Sequence, residues 1–224
     1  MRHVQRFAIL ILAAACLLAV GCYYDPVEVL GDKQAGDESA VAAATPSGGP
    51  RRIIPPRPRA ADALQEAKAY RLLDEAFDSY EGGRYDAAIR ICTKLLAEKR
   101  DFAWGYCLRG CASHAKGDYS DAVRDQTAAI ACKADLAEAY CYRALAYMEA
   151  GQLAYAIADG TTAILLRADF AEAHYYRGLA YFKRGNYTKS LRDLRIAASL
   201  GLAVDPDLLA LARKLAEAQE AEDY

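Results

Sequence analysis

Small and apolar positions return every 34 residues between residues 69 and 204. With Gly83, Gly117, Gly151 and Gly185 counted as the fifteenth residue of each unit, the eighth is Ala76, Gly110, Ala144 and Gly178, and the twentieth is Ala88, Ala122, Ala156 and Ser190. The seventeenth is Tyr85, Tyr119, Leu153 and Tyr187, and the twenty-seventh is Leu95, Ala129, Ala163 and Ala197. A unit of this length holds two helices of about a dozen residues with a short turn between them. The glycine falls at the turn, where a left-handed residue ends the first helix and any side chain would clash with the backbone. Small residues at eight and twenty let the two helices approach closely, and the larger one at seventeen covers the turn.

Polar residues mark where the helices are expected to begin. Asp86, Ser120 and Thr188 follow the turn as candidate N-caps, and Asp101, Asp135 and Asp169 stand where each next unit opens. The pairs Asp135 with Glu138 and Asp169 with Glu172 have the spacing of a capping box. After the fourth unit, Asp205-Pro206 offers an N-cap followed by a proline at the first helical position, where its missing N–H does no harm. A capping helix is expected there, with Leu208, Leu211, Ala212 and Leu215 as one apolar stripe and Arg213, Lys214, Glu217, Glu220 and Glu222 on the other side.

A charged pair keeps the same period. Arg109 with Asp125, Arg143 with Asp159 and Arg177 with Asp193 are each sixteen residues apart. These positions face each other across a hairpin, so three partly buried ion pairs are expected. The first unit has Glu75 and Ile91 in their place, as suits a terminal repeat.

The period, the small residues at eight and twenty and the aromatic at seventeen resemble the tetratricopeptide repeat (TPR) family. The resemblance implies an all-α TPR solenoid of four helix-turn-helix repeats at 61–102, 103–136, 137–170 and 171–204, with a capping helix at 205–224. It also implies a concave groove lined by positions two, five, nine and twelve of the first helices. Here the groove would hold Tyr70, Phe77, Trp104, Cys107, Cys111, His114, Cys141, Met148, Tyr175 and Phe182, with Glu138 and Glu172 as acids at its rim. The lysine and asparagine clamp with which chaperone-binding members hold a terminal carboxylate is not matched at these positions. A partner with an extended or helical apolar face fits better, anchored on Trp104, the single tryptophan.

The amino terminus reads as a secretion signal. Arg2 and Arg6 precede an uncharged apolar run from Phe7 to Val20, fourteen residues, too short to cross a bilayer that takes a helix of roughly 20. The run ends in Leu18-Ala-Val-Gly-Cys22, which resembles the bacterial lipobox and implies cleavage after residue 21 and covalent lipid on Cys22. Leu12-Ala-Ala-Ala-Cys16 is a weaker rival, and an uncleaved anchor extended through Tyr24 is the alternative. Two or three acyl chains give stable anchoring where one is marginal. Tyr23, where an aspartate would signal inner-membrane retention in enterobacterial lipoproteins, favours the outer membrane facing the periplasm. Residues 22–60, rich in proline and arginine and without helical periodicity, are expected to be a disordered tether.

Composition narrows the function. A net charge of −2 gives no electrostatic reason to expect nucleic acid. The repeats contain two histidines, His114 and His174, and no nucleophile elbow, phosphate loop or zinc-protease helix, so the expected role is binding other envelope proteins or peptides, with no catalysis and no cofactor. Cys92 and Cys132 are expected as small buried hydrophobes on second helices. Cys107, Cys111, His114 and Cys141 fall on one face of neighbouring first helices and frame an alternative function, a metal-binding or thiol-redox module.

Overall fold

In a computed structural model of the chain, the structure describes the backbone of residues 63–222. The signal segment, Cys22 and the tether lie outside the described residues. Nine helices and no strands are present among the described residues: α1 Ala63–Glu81, α2 Tyr85–Glu98, α3 Ala103–Ala115, α4 Tyr119–Cys132, α5 Ala137–Glu149, α6 Leu153–Leu166, α7 Ala171–Lys183, α8 Tyr187–Ser199 and α9 Pro206–Glu222. Each odd helix packs on the even helix that follows it, each even helix packs on the next odd one, and α1, α3, α5 and α7 touch in sequence. The result is a TPR solenoid of four hairpins, closed by α9 against α8.

The hairpin turns follow from the glycines. Gly83, Gly117, Gly151 and Gly185 have φ of +69°, +86°, +74° and +79°. At each turn the glycine N–H donates to the carbonyl three residues back and the next N–H to the carbonyl five residues before it, as in Gly117 to His114 at 2.8 Å and Asp118 to Ser113 at 2.9 Å. These paired bonds satisfy the last carbonyls of the helix. Gly201, with φ +88°, repeats the device after α8, outside the 34-residue register. The three earlier second helices end instead in extended residues, Lys99, Lys133 and Arg167, which lead directly into another repeat.

The small positions are where helices meet. Ala76, Ala88, Ala122, Ala144, Ala156 and Ser190 are all buried. A methyl added at Gly110 would lie 2.8 Å from Gln126 Nε2 and 3.2 Å from the Ala122 carbonyl, and one at Gly178 would lie 3.2 Å from Leu194. The core falls into two clusters that meet in α5: Cys141, Leu145 and Met148 pack toward repeat four, while Ala139 and Tyr142 pack toward repeats one and two.

The expected N-caps are corrected. Second helices open immediately after the turn, at Tyr85, Tyr119, Leu153 and Tyr187, so Asp86, Ser120 and Thr188 lie inside the first helical turn. Among the residues that do precede these four helices, Asn186 alone caps through its side chain, accepting from the Lys189 N–H at 3.2 Å. The first helices α3, α5 and α7 begin after Phe102, Leu136 and Phe170, which occupy the N-cap position without a side-chain bond. Asp101, Asp135 and Asp169 sit one residue too early, and the capping boxes do not form. Burying an apolar side chain gives roughly 1.5–3 kcal/mol against about 1 kcal/mol for a cap, and all three N-cap residues are buried. The expected cap of α9 is present: the Asp205 carboxylate accepts from the Asp207 N–H at 2.9 Å, and Leu208 and Ala212 are buried against the fourth repeat.

Candidate functional site

The leading helices α3, α5 and α7 are held in place by a clamp that runs between repeats. Arg109 donates from Nε and Nη2 to both oxygens of Asp125, at 2.8 and 2.7 Å. Arg143 does the same to Asp159 at 2.7 and 2.9 Å, and Arg177 to Asp193 at 2.7 and 2.9 Å. The fork geometry of guanidinium and carboxylate makes such pairs directional as well as strong. Asp125 and Asp193 are buried, and the hydrogen bonds to them raise the pKa of Arg109 and Arg177 further against the opposing effect of burial.

Sequence reading missed the third partner of each clamp. The remaining guanidinium nitrogen donates back to the preceding repeat: Arg109 to Thr93 at 3.3 Å, Arg143 to Thr127 at 3.0 Å and Arg177 to Thr161 at 3.1 Å. Each threonine hydroxyl donates its own proton to a carbonyl four residues earlier at 2.8 Å, which leaves its lone pairs for the arginine. The spacing of sixteen that reveals the aspartates on one side places the threonines on the other.

The proposed groove residues divide by burial. Tyr70, Trp104 and His114 are half-buried. Phe77, Cys107, Cys111, Cys141, Met148, Tyr175 and Phe182 are buried and belong to the two core clusters. Tyr70 meets Phe102 edge to face with ring centres 5.4 Å apart, and Lys133 Nζ stands 5.8 Å from the Trp104 ring. Glu138 is bonded by Arg167 at 2.6 Å. Position twelve packs across the turn on position seventeen, as in His114 on Tyr119 at 5.3 Å and Phe182 on Tyr187 at 5.3 Å. Further half-exposed aromatics appear on the leading helices at positions four and eleven, Tyr106, Tyr140, Tyr147 and Tyr181, where the sequence reading had named none.

The thiols do not form the ligand set that the sequence allowed. Cys92, Cys107, Cys111, Cys132 and Cys141 are all free. Among the described residues, no three side chains of His, Cys, Asp or Glu converge as a metal site would need. Gln126, buried, donates to the Cys107 carbonyl at 3.0 Å and touches Cys111 Sγ at 3.7 Å. His114 turns its ring to Tyr119. A hydrogen bond with Cys111, then burial, pushes the Cys107 thiol up; burial does the same to Cys141 and takes Cys92 up to about 12. Protonated thiols of this kind are poor nucleophiles and poor ligands. Cys132, expected to be buried, is exposed as the last residue of α4, its Sγ 3.9 Å from the Arg100 carbonyl.

Fold and clamp together define a tetratricopeptide-repeat solenoid. The family model for Tetratricopeptide repeat matches residues 171–201. No curated protein sequence matches the chain. Among solved structures the chain is similar to MamA, with 23% identity, a TM-score of 0.54 and coverage of 59% of this chain and 77% of that one. It is similar to TTC0263, a thermophilic TPR protein in Thermus thermophilus, with 22% identity, a TM-score of 0.56 and coverage of 59% and 74%. The second TPR domain of the human RPAP3 protein, solved in complex with the HSP70 peptide SGPTIEEVD, matches with 24% identity, a TM-score of 0.50 and coverage of 52% and 97%. At these identities the likeness is one of fold.

Proposed function

We propose that this chain is a membrane-anchored scaffold of the bacterial cell envelope, which binds segments of partner proteins along the wall of its leading helices and carries out no catalysis. One observation carries the reading: α1, α3, α5 and α7 touch in sequence and bring Tyr70, Trp104, Glu138 and Glu172, all half-buried, to the same register of consecutive repeats. Neighbouring packed helices lie about 8–10 Å apart, the span of roughly three residues of extended chain. A partner strand therefore meets one repeat with about every third residue. The structural likeness to a TPR domain solved with a bound peptide supports the same use here.

Anchoring is assigned to lipid on Cys22, with the chain facing the periplasm from the outer membrane. No helix among the described residues is long and apolar enough to cross a membrane. The test combines crosslinking pull-down from the native envelope with fatty-acid labelling. Trp104→Ala lowers partner recovery several-fold at unchanged helicity, and Cys22→Ser abolishes labelling and releases the chain from membranes. Equal recovery by Trp104→Ala rejects the wall as the docking face.

A further inference from the structure

The clamp chemistry changes at the carboxy-terminal end of the array. Position twenty-five is Thr93, Thr127 and Thr161 in the first three repeats, each accepting from the arginine of the repeat that follows. In the fourth repeat it is Arg195, and α9 brings Leu211 to the register where the next arginine would stand. An acceptor has been replaced by a donor, and no carboxylate has been supplied to meet it. Arg195, Arg192 and Arg213 are exposed and make no ion pair or hydrogen bond among the described residues.

The three arginines line a cleft of about 560 Å³ between α8 and α9, whose floor is Leu191, Ile196 and Ala216. Gln219 fixes the direction of α9 by donating to the Gly185 carbonyl at 3.1 Å and accepting from the Tyr187 N–H at 3.3 Å, so the end of α9 lies beside the start of α8. That antiparallel arrangement gathers Arg192, Arg195 and Arg213 at one end of the cleft and leaves Glu217 and Glu220 toward the other, near Thr188. The charges along it are therefore separated rather than cancelled.

We propose that this cleft is a second docking site, for an acidic amphipathic peptide segment of a partner protein. Apolar side chains of the segment cover Leu191, Ile196 and Ala216, and its carboxylates take the place that aspartate holds in the internal clamps. Guanidinium groups suit this role because each presents a planar fork to a carboxylate. The site is separate from the wall of leading helices, so it stands whether or not that wall binds a partner.

The test is fluorescence anisotropy of the full-length chain in detergent with a labelled nine-residue peptide of three Leu-Glu-Glu repeats and with its Leu-Lys-Lys counterpart. The wild type binds the acidic peptide and not the basic one, more weakly as salt rises. The double variant Arg195→Glu, Arg213→Glu changes exposed side chains, keeps its helicity, and loses at least about tenfold in affinity. Lys94→Glu, an exposed charge reversal outside both the cleft and the wall, binds as the wild type does. Absence of binding, equal binding of the two peptides, or unchanged affinity in the double variant overturns the proposal. So does a wild-type dimer in sedimentation that the double variant abolishes, since the occupant is then a second copy of this chain.

Discussion

Where Arg109, Arg143 and Arg177 stand in the later repeats the first has Glu75, and where their aspartates stand it has Ile91. Glu75 is exposed, and Ile91 packs against the core of the first two repeats. A complete clamp needs a threonine from the repeat before, and among the described residues no second helix precedes α1. An arginine at position 75 would have one partner fewer, and Ile91, in the place of its aspartate, needs no partner to bond. The difference teaches that the clamp couples repeats rather than stabilising each hairpin by itself. Stability in such arrays is close to a sum of repeat terms and nearest-neighbour terms, and the clamp belongs to the second kind.

The largest effect that separates the first repeat from the others is expected from Arg109→Met. It leaves the Asp125 carboxylate, with its side chain 5% exposed, without its charged partner. A loss of about 3 kcal/mol is expected in urea unfolding, against less than about 0.5 kcal/mol for Glu75→Met at the same register. Comparable costs at the two sites would remove the distinction between the repeats.

Next comes the eighth position. Gly110→Ala forces a methyl against Gln126 and the Ala122 carbonyl and is expected to cost about 1–3 kcal/mol by overpacking, whereas Ala76→Gly in the first repeat costs about 1–2 kcal/mol through helix propensity and the loss of a buried methyl. A gain of stability in Gly110→Ala would show that α3 and α4 are not in contact there. Thr127→Val, which removes the acceptor for Arg143 without changing its shape, is expected to cost about 1 kcal/mol. A double-mutant cycle with Arg143→Met should give a coupling above about 0.5 kcal/mol; additivity would mean that the clamp stops at the hairpin.

The smallest effect is expected from pH. Burial holds the His114 pKa below its usual value, so the unfolded chain binds the proton more readily than the folded one. Stability is then full above about pH 6.5 and falls as the pH drops below it. Thermal melts between pH 7.5 and 5.5 should decline for the wild type and decline less for His114→Met, which carries the third repeat's residue at that position. Parallel curves would mean that His114 is solvated like a free histidine.

The hairpins, their glycine turns and the arginine–aspartate pairs were legible because each rests on a spacing, and a spacing survives in one dimension. The threonines of the clamp obey the same spacing, sixteen residues before each arginine. The helix caps were misread for a different reason. Asp101, Asp135 and Asp169 satisfy the local rule, but the competing energy comes from burying Phe102, Leu136 and Phe170 against neighbouring helices, which no local pattern records. The groove residues illustrate the same limit. Trp104 and Cys107 stand at positions that recur with the same period, yet one is half-buried and the other fully buried.

By itself the sequence determined the repeat length, the number of hairpins and where each helix must turn back, since backbone torsion at a glycine and side-chain size at a close contact are properties of the residues themselves. Only the tertiary structure decided which apolar positions were left at the surface, where the thiols pointed and which arginines ended without a carboxylate. Those outcomes depend on what the adjoining helix covers, and covering is a relation between distant parts of the chain.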